Sequence, residues 1–409
     1  MKYANIKFDG RSGRQTIGDN IQLIAIDHLY AKMGIPQSEI VYIDKNDLST
    51  YDGEEVILPF SWALVDYIED GWANRFSSKI TPVFLGLNLA RDWLYAAEIP
   101  FFRRCEPVGC RDERTYRTMT ANGIRAYLAG CITLTLPQRE YVPSGDGKIF
   151  IVDVSEDTIR KLPEGITRDA VIMSHMVEGV TDPKQVMTDR YEQYKREASL
   201  VVTSLLHCSV PCIAAGIPVV CIKELVSYRF GWIDKLMRIY HPDEIALIDW
   251  NPKPLDVSSI SAKMTRVAIE RIKRPGTAVR ELDELTSYWL DRPKRDYDID
   301  CFLPYVQYLK AHFPNPMTEF DYSIWGLTQM AEMLQKYIQF HYPNARLVNV
   351  YDKYRRLNFF GRCSCPPENV GSLSGCVFVT TIGAENDAKN LIRTGQLSPD
   401  RVCLFHHYK

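Results

Sequence analysis

The chain has 409 residues, of which 46% are hydrophobic and 24% charged, and its formal net charge is −2. This length exceeds one ordinary hydrophobic core, so we expect two or three domains. The nearly balanced charge argues against a protein that binds nucleic acid. No apolar run reaches the roughly 20 residues of a membrane-spanning helix, and the N-terminal residues lack the apolar core of a secretion signal. We therefore expect a cytoplasmic protein.

The eleven cysteines are scattered, several of them in apolar runs typical of buried strands. This usage is typical of a reducing compartment, where cysteine acts as a small hydrophobic residue. Neither Cys363-Ser-Cys365 nor the pair Cys105 and Cys110 has the spacing of a zinc site. We predict no metal and no bound cofactor.

Residues 1–142 contain short apolar runs separated by helical or loop stretches. A helical pattern opens near Thr16-Ile-Gly-Asp-Asn-Ile-Gln22, with Asp19 or Asn20 as its cap. A second helix is predicted over Thr115–Asn122, ending at Gly123. Cys131–Leu136 is predicted as a strand. Strands that alternate with helices predict a parallel α/β sheet, here an N-terminal Rossmann-like domain.

Residues 143–292 contain the strongest pattern of the chain, which runs from Ala198 to Glu224. A buried strand leads through a polar turn with His207 to a small-residue helix over Val210–Ala215, and a second buried strand follows. This predicts a βαβ unit. Its turn lies at the carboxyl end of a strand and beside a helix N-terminus, where parallel sheets bind ligands and where anions are favoured.

The rest of this second Rossmann-like domain is predicted as a helix over Tyr228–Ile239, a short strand over Ile245–Ile248 and trailing helices over Ser258–Arg292. Residues 293–344 are predicted as a helical linker with an amphipathic helix at Ser323–Phe340. Residues 345–409 form a small α/β appendix that ends with a strand at Arg401–Phe405. The predicted fold class is thus α/β, with two Rossmann-like domains facing a cleft and a small C-terminal α/β domain.

Four motifs follow one another in a recognisable order: Gly18-Asp-Asn20, Gly109-Cys-Arg-Asp-Glu-Arg-Thr115, Ser204-Leu-Leu-His207 and Ala215-Gly-Ile-Pro-Val-Val220. Together they resemble the polysaccharide pyruvyl transferases over about residues 10–250. The resemblance implies a fold similar to two-domain glycosyltransferases of the GT-B type, with residues 1–142 on the acceptor side and the donor-site motif in residues 143–292. It also implies transfer of the enolpyruvyl unit of phosphoenolpyruvate onto two sugar hydroxyls, which gives a cyclic pyruvate ketal and phosphate.

The resemblance assigns roles to individual residues. Arg111 matches the arginine that binds the phosphoenolpyruvate anion, His207 the histidine that acts on the donor, and Leu206 the leucine whose backbone lies near it. Leu205 departs from the pattern, because the family usually has arginine there. The candidates for a replacement cation are Arg190, Arg168 and Arg229.

Further candidates come from the positions of polar and aromatic side chains. Asp19 is predicted to contact the acceptor or to act as its base, with Asp112 and Glu113 behind it. His175, which follows a strand, is a candidate sugar contact, with a structural role as the equally weighted alternative. The other substrate-binding candidates are Gly18, Asn20 and Ser204. The tryptophans that could stack on sugar rings are Trp62, Trp93 and Trp232, although such tryptophans are more often core residues.

Each of the main candidates also has a purely structural interpretation. His207 could be a hydrogen-bonded core residue, Asp19 a helix cap, and Arg111 a partner of Asp112 or Glu113. Two rival functions stay open at this point: a glycosyltransferase of the GT-B type that uses a nucleotide sugar, and a non-catalytic subunit of polysaccharide assembly.

The partners expected under the main interpretation are phosphoenolpyruvate as co-substrate and a glycan or lipid-linked oligosaccharide as acceptor. No nucleic acid is expected. A peripheral contact at the inner face of the membrane, a homo-oligomer and the role of the appendix, for packing or oligomerisation, stay open.

Overall fold

The computed structural model describes residues 2–8, 15–61, 75–89, 92–143, 147–224, 226, 228–277, 280–292, 303–367, 370 and 375–404. The chain forms two compact units. Unit 1 consists of Met1–Leu64, Ile68–Leu225 and Arg229–Tyr297, and unit 2 of Val65–Tyr67, Val226–Tyr228 and Asp298–Lys409. Within the described ranges, none of the helices combines the length and the apolar character that crossing a bilayer requires.

Unit 1 alternates strands and helices, as expected for an α/β fold. Its strands are β1 (Lys2–Lys7), β2 (Gln15–Thr16), β3 (Ile40–Asp44), β4 (Val56–Phe60), β5 (Ile80–Leu87), β6 (Val108–Cys110), β7 (Ala126–Leu128), β8 (Lys148–Val152), β9 (Val171–Met173), β10 (Met176–Val177), β11 (Ala198–Thr203), β12 (Val219–Ile222) and β13 (Ile239–Tyr240). Its helices are α1 (Asn20–Lys32), α2 (Glu98–Arg104), α3 (Glu113–Ala121), α4 (Glu156–Ile159), α5 (Glu164–Thr167), α6 (Pro183–Glu197), α7 (Leu206–Ala214), α8 (Ser258–Lys273) and α9 (Glu281–Leu290).

The first sheet of unit 1 has six parallel strands in the order β3-β1-β4-β5-β6-β7. The central strand β4 is buried along its whole length, which is why its sequence is a continuous apolar run. The rings of Phe60, Phe84 and Phe102 are fully buried in its core. Burying each such ring contributes about 1.5–3 kcal/mol, so the sheet is a rigid support for the residues at its carboxyl edge.

The second sheet has five parallel strands in the order β13-β12-β11-β8-β9. Strands β11 and β12 with α7 between them are the predicted βαβ unit. In both sheets the strand order reverses, between β1 and β4 in the first sheet and between β8 and β11 in the second. Ligands of open parallel sheets bind outside the carboxyl ends of the strands at such reversals.

A two-stranded antiparallel ribbon of β2 and β10 joins the segments that leave the two sheets. Immediately after it, the backbone N–H of Ile17 donates to the carbonyl oxygen of His175 at 2.9 Å. The start of α1 is thereby fixed against the segment that follows β9. This ribbon places the polar residues at the start of α1 close to those at the start of α7.

Unit 2 contains a four-stranded parallel sheet in the order β15-β14-β18-β19 and a small antiparallel ribbon, β16-β17. The strands are β14 (Asp321–Trp325), β15 (Arg346–Tyr351), β16 (Asn358–Phe359), β17 (Arg362–Cys363), β18 (Cys376–Val379) and β19 (Val402–Cys403). The helices are α10 (Leu303–His312), α11 (Gln329–His341) and α12 (Ile382–Arg393).

The α/β class is confirmed by three parallel sheets. The arrangement as two facing Rossmann-like domains and the domain boundaries stay predictions. One difference concerns residues 293–344: besides helices they contribute β14, the strand that pairs with both β15 and β18. The predicted strand at Arg401–Phe405 is observed as β19, and Phe405 lies outside the described residues.

Several predicted elements are wrong in type or position. Cys131–Leu136 is a 3₁₀ turn, not a strand, and Ile245–Ile248 overlaps another 3₁₀ turn, which a capping box of His241 and Glu244 starts. The helix predicted over Ser323–Phe340 begins later than expected. Ser323 belongs to β14, which ends just before Gly326 (φ +103°), and α11 follows.

Two further differences lie near the βαβ unit. The predicted helix over Tyr228–Ile239 is two short 3₁₀ turns and β13, since Gly231 interrupts a sequence that is otherwise a weak helix former. Helix α7 begins at Leu206 instead of Val210, so that Pro211 lies inside it. His207 is therefore in the first turn of a helix, not in the loop before it.

Candidate active site

Asp19 stands at the N-terminus of α1, but its carboxylate accepts no capping hydrogen bond from the helix. Its Oδ1 lies 3.0 Å from Nδ1 of His207, which belongs to the first turn of α7. The two starting turns approach closely at Gly18, where an added Cβ would lie 3.3 Å from Cβ of His207. Glycine at this position allows the contact between the two helix starts. The carboxylate of Asp19 thus pairs with the imidazole of His207 and does not cap α1.

His207 is hydrogen-bonded at both ring nitrogens. Its Nε2 lies 3.3 Å from Nη2 of Arg229, and the side chain is only 8% exposed. A guanidinium can only donate hydrogen bonds, so Nε2 accepts from Arg229 and the proton of the neutral ring is on Nδ1, facing Asp19. The geometry therefore selects one tautomer of the imidazole.

Arg229 lies on the 3₁₀ turn Tyr228–Phe230. Its Nη2 is 3.7 Å from Oδ1 of Asp19, so one guanidinium nitrogen contacts both members of the Asp19–His207 pair. The Nε atom of Arg229 is buried, with no hydrogen-bond partner among the described residues. Arg229 is therefore the cation that the structure places nearest to His207.

Arg111 follows β6, with its backbone N–H donating 2.7 Å to the carbonyl oxygen of Leu87. The side chain is 1% exposed, and Nη2 donates to Oε1 of Gln22 and to the carbonyl oxygen of Ser61. Nε and Nη1 are buried and have no partner among the described residues. A buried cation with two unused donors is a site at which an anion would be stabilised.

The acidic neighbours of Arg111 in sequence have other partners. Asp112 caps α3 through the backbone N–H of Thr115 and accepts from Asn88. Glu113 pairs with Arg117 and with Lys235. The structural interpretation of Arg111 as their partner is therefore wrong, and neither carboxylate faces His207 as a hydrogen-bonding group in the described structure.

We call Asp19, His207, Arg111 and Arg229 the anion cluster. Burial raises the pKa of Asp19, but the hydrogen bond with His207 and the charges of Arg229 and Arg111 outweigh it and lower the pKa to about 2. Burial lowers the pKa of His207; Asp19 opposes this effect, and both arginines add to it. The charges of two guanidiniums thus act on one carboxylate, and the cluster has an excess of positive charge even when the imidazole is neutral.

A family model for polysaccharide pyruvyl transferases matches residues 17–224, just over half of the chain. The match includes Asp19, Arg111 and His207. The chain belongs to the polysaccharide pyruvyl transferase family. A crystal structure of a functionally uncharacterised protein from Klebsiella pneumoniae subsp. pneumoniae NTUH-K2044 has a TM-score of 0.33 at 14% identity, over 56% of this chain and 85% of that chain. A comparison with curated proteins finds no match.

Gln22 and Ser61 are parts of the candidate site that sequence reasoning missed. Both hold the guanidinium of Arg111, Gln22 through its side chain and Ser61 through its backbone carbonyl. Gln22 follows Asp19 by three residues, which puts both on one face of α1, and that spacing was the available signal. The carbonyl of Ser61 has no such signal, because every residue has one.

The predicted sugar contact at His175 does not match its environment. The residue is 0% exposed, and Nε2 lies 2.9 Å from the hydroxyl oxygen of Tyr194. Its backbone N–H donates to the carboxylate of Asp153 at 2.7 Å. Burial lowers the pKa of His175 to about 4. His175 supports the backbone that fixes Ile17, just before Gly18 and Asp19.

The remaining predicted substrate-binding residues lie around the same helix starts. Asn20 is buried and donates to the carbonyl oxygen of Ile17 at 3.1 Å. Leu206 begins α7, and Ser204 donates its hydroxyl to the carbonyl oxygen of Asp153. Asn20 therefore shapes the turn that presents Asp19, while Ser204 ties the end of β11 to the end of β8.

Of the three arginines considered as substitutes at Leu205, only Arg229 contacts His207. Arg168 is exposed and pairs with Glu164 on the short helix α5. Arg190 contacts the sulfur of Met173. The aromatic candidates Trp93 and Trp232 are buried, Trp232 against Trp289, and Trp62 lies outside the described residues. In the described ranges, no three His, Cys, Asp or Glu side chains come together as a metal site would require.

Proposed function

We propose that the chain is a phosphoenolpyruvate-dependent pyruvyl transferase that forms a pyruvate ketal on a sugar of a surface-polysaccharide precursor. The observation that carries the proposal is the positive excess of the anion cluster, with two unused donors on buried Arg111. Phosphoenolpyruvate has a carboxylate and a phosphate, and arginine binds both groups through paired, charge-assisted hydrogen bonds. In this proposal, Arg111 and Arg229 together bind the donor, and Arg229 replaces the arginine that is absent at Leu205.

The reaction needs a proton on the methylene carbon of the donor. Protonation of C3 develops positive charge at C2, one sugar hydroxyl bonds to C2, and a second hydroxyl then displaces the phosphate. The two hydroxyls lose two protons, of which C3 takes one and the phosphate the other. His207 is the acid in this scheme: its Nε2 takes up a proton once Arg229 turns from it to the donor, and Asp19 holds the imidazolium in position by pairing with Nδ1.

The charge of the donor supports this use of His207. Arg229 and Arg111 lower the pKa of His207. An anion bound to these two guanidiniums offsets their charge, so donor binding raises the pKa of His207 and favours the acid form. The proton would then be available mainly in the complex with the donor.

The acceptor in this proposal is a glycan or a lipid-linked oligosaccharide reached at the inner face of the membrane from the cytoplasm. Family membership supports a glycan acceptor. The reaction itself requires two hydroxyls of one sugar within reach of C2, which a hexose supplies.

Thermal unfolding with phosphoenolpyruvate tests the proposal. At about one hundred times its dissociation constant, a ligand that binds only the folded state stabilises it by about 2.7 kcal/mol. We expect phosphoenolpyruvate to raise the unfolding midpoint of the wild type and of Arg168→Ala, but not that of Arg229→Ala. The side chain of Arg229 is partly exposed, so its removal should leave the fold intact. A rise with sugar nucleotides alone, or an equal rise in Arg229→Ala, would contradict the proposal.

A further inference from the structure

A cavity of about 340 Å³ opens at the carboxyl edge of the second sheet. The ends of β8, β11 and β12 contribute to it through Asp153, Ser204 and Lys223. The strand order reverses between β8 and β11, so the cavity lies at the place where open parallel sheets bind ligands. Its volume is within the range of about 300–1,000 Å³ that is usual for small-molecule sites.

The wall of the cavity presents hydroxyl and carboxylate groups in one connected set. Oε1 of Glu224 accepts from the hydroxyls of Ser155 at 2.5 Å and Thr158 at 3.2 Å. No hydrogen bond from the described residues reaches Oε2 of Glu224. One carboxylate oxygen is therefore fixed by protein hydroxyls, and the other is left to accept from a ligand.

The charges of the wall do not suit an anion. Among the described residues that line the cavity, Asp153 and Glu224 are acidic and Lys223 is basic; Nζ of Lys223 donates to the carbonyl oxygen of Ser204 at 3.2 Å. The net charge of this wall is therefore opposite in sign to that of the anion cluster. A phosphate would meet more negative than positive charge here, whereas a neutral molecule with several hydroxyls could donate one of them to Oε2 of Glu224.

The apolar part of the wall fits the same kind of ligand. Val154 and Ile222 line the cavity beside the polar groups. A sugar ring has hydroxyls at its edge and C–H groups on its faces, so it can use both kinds of surface.

We propose that this cavity binds a neutral sugar ring of the acceptor, with Glu224, Ser155 and Thr158 as its hydrogen-bonding groups. The identification of this sugar as the acceptor rests on the proposed function. Ser204 lines the cavity, and His207, three residues later, belongs to the anion cluster. The turn between them would separate a neutral acceptor site from an anionic donor site.

Saturation-transfer NMR with methyl glycosides of galactose, glucose and N-acetylglucosamine tests the inference. We expect transfer to at least one glycoside in the wild type and in Glu270→Gln, an exposed glutamate elsewhere in unit 1. Loss of a hydrogen bond to a charged group should weaken binding about tenfold in Glu224→Gln. Ser155→Ala, which removes the hydroxyl that fixes Glu224, should weaken it as well.

The outcomes separate this inference from the proposed function. Equal transfer in Glu224→Gln, Ser155→Ala and the wild type, or no transfer in the wild type, would overturn the sugar site. Transfer from a uridine nucleotide that these substitutions remove would also overturn it, in favour of a nucleotide. The midpoint shift with phosphoenolpyruvate should persist in Glu224→Gln, which also shows that the variant is folded. If sugar binding depends on Glu224 while that shift is absent even in the wild type, the sugar site stands and the proposed donor fails.

Discussion

The imidazole of His207 lies between a carboxylate on one side and a guanidinium on the other, and these two contacts oppose each other. Asp19 raises the pKa of His207, while Arg229 and burial lower it. An acid must be protonated before it acts, so activity should fall as the pH rises through the pKa of His207 in the donor complex. The pH at which activity falls depends on which charged neighbours of His207 are present.

Asp19→Asn should lower kcat by about 100-fold or more, because the imidazolium loses its partner and general acid catalysis contributes about that much. The fall of kcat with rising pH should move to lower pH, since removing Asp19 lowers the pKa of His207. Phosphate release measured across pH checks both effects, with the exposed Asp52→Asn as a matched control. An unchanged kcat and pH profile would show that Asp19 has no part in the proton transfer.

The buried ring of His175 makes stability depend on pH. Its pKa is about 4 in the folded state, against 6.5 for an ordinary histidine. Between these values the unfolded chain binds a proton that the folded chain does not, so stability falls as the pH drops from 6.5 to 4, by about 3 kcal/mol. The free energy of unfolding, measured with denaturant across this pH range, should depend less steeply on pH in His175→Gln than in the wild type. A slope equal to that of the wild type would mean that His175 is not buried as a neutral ring.

At the level of elements, the site depends on the close approach of α1 and α7 at Gly18. An added Cβ would lie 3.3 Å from Cβ of His207 and 3.4 Å from the hydroxyl of Thr16. Gly18→Ala should therefore push the two helix starts apart and lower kcat by about tenfold, because small errors in position slow catalysis. Gly165→Ala is the control, since nothing lies within 4 Å of its added Cβ. Equal activities of the two variants would show that the spacing of α1 and α7 is unimportant.

The βαβ unit around α7 could be predicted from the sequence because both of its strands are continuous apolar runs. The pairing of Asp19 with His207 could not, since it depends on β2 and β10, which are two residues each and too short to give a pattern. Arg229 was only one of three candidates, because its distance from His207 is set by a 3₁₀ turn in a segment that we predicted as one continuous helix. Gln22 had a signal in its spacing from Asp19, and the carbonyl of Ser61 had none.

At the scale of the whole molecule, each unit has a hydrophobic core of its own. Phe60 and Phe84 lie in a core of unit 1, and Val377 and Val379 in that of unit 2. Domains with separate cores can unfold in separate steps, and a ligand stabilises only the step that destroys its site.

Differential scanning calorimetry should therefore resolve two transitions, and phosphoenolpyruvate should raise the midpoint of only one. Val379→Ala, which removes buried volume from unit 2, should lower the midpoint of the other transition. A single transition whose midpoint is raised by phosphoenolpyruvate and lowered by Val379→Ala would contradict this assignment of the donor site to unit 1 alone.

The most direct test of the account follows the donor carbon through the reaction by ¹³C NMR. Phosphoenolpyruvate labelled at C2 would be incubated with the protein and a panel of galactosides and lipid-linked oligosaccharides. We expect the enol resonance of C2 to be replaced by that of a ketal carbon, with one phosphate released per ketal, and we expect no ketal from His207→Gln. Labelled donor that stays unchanged while a nucleotide sugar is consumed with the same acceptors would contradict it.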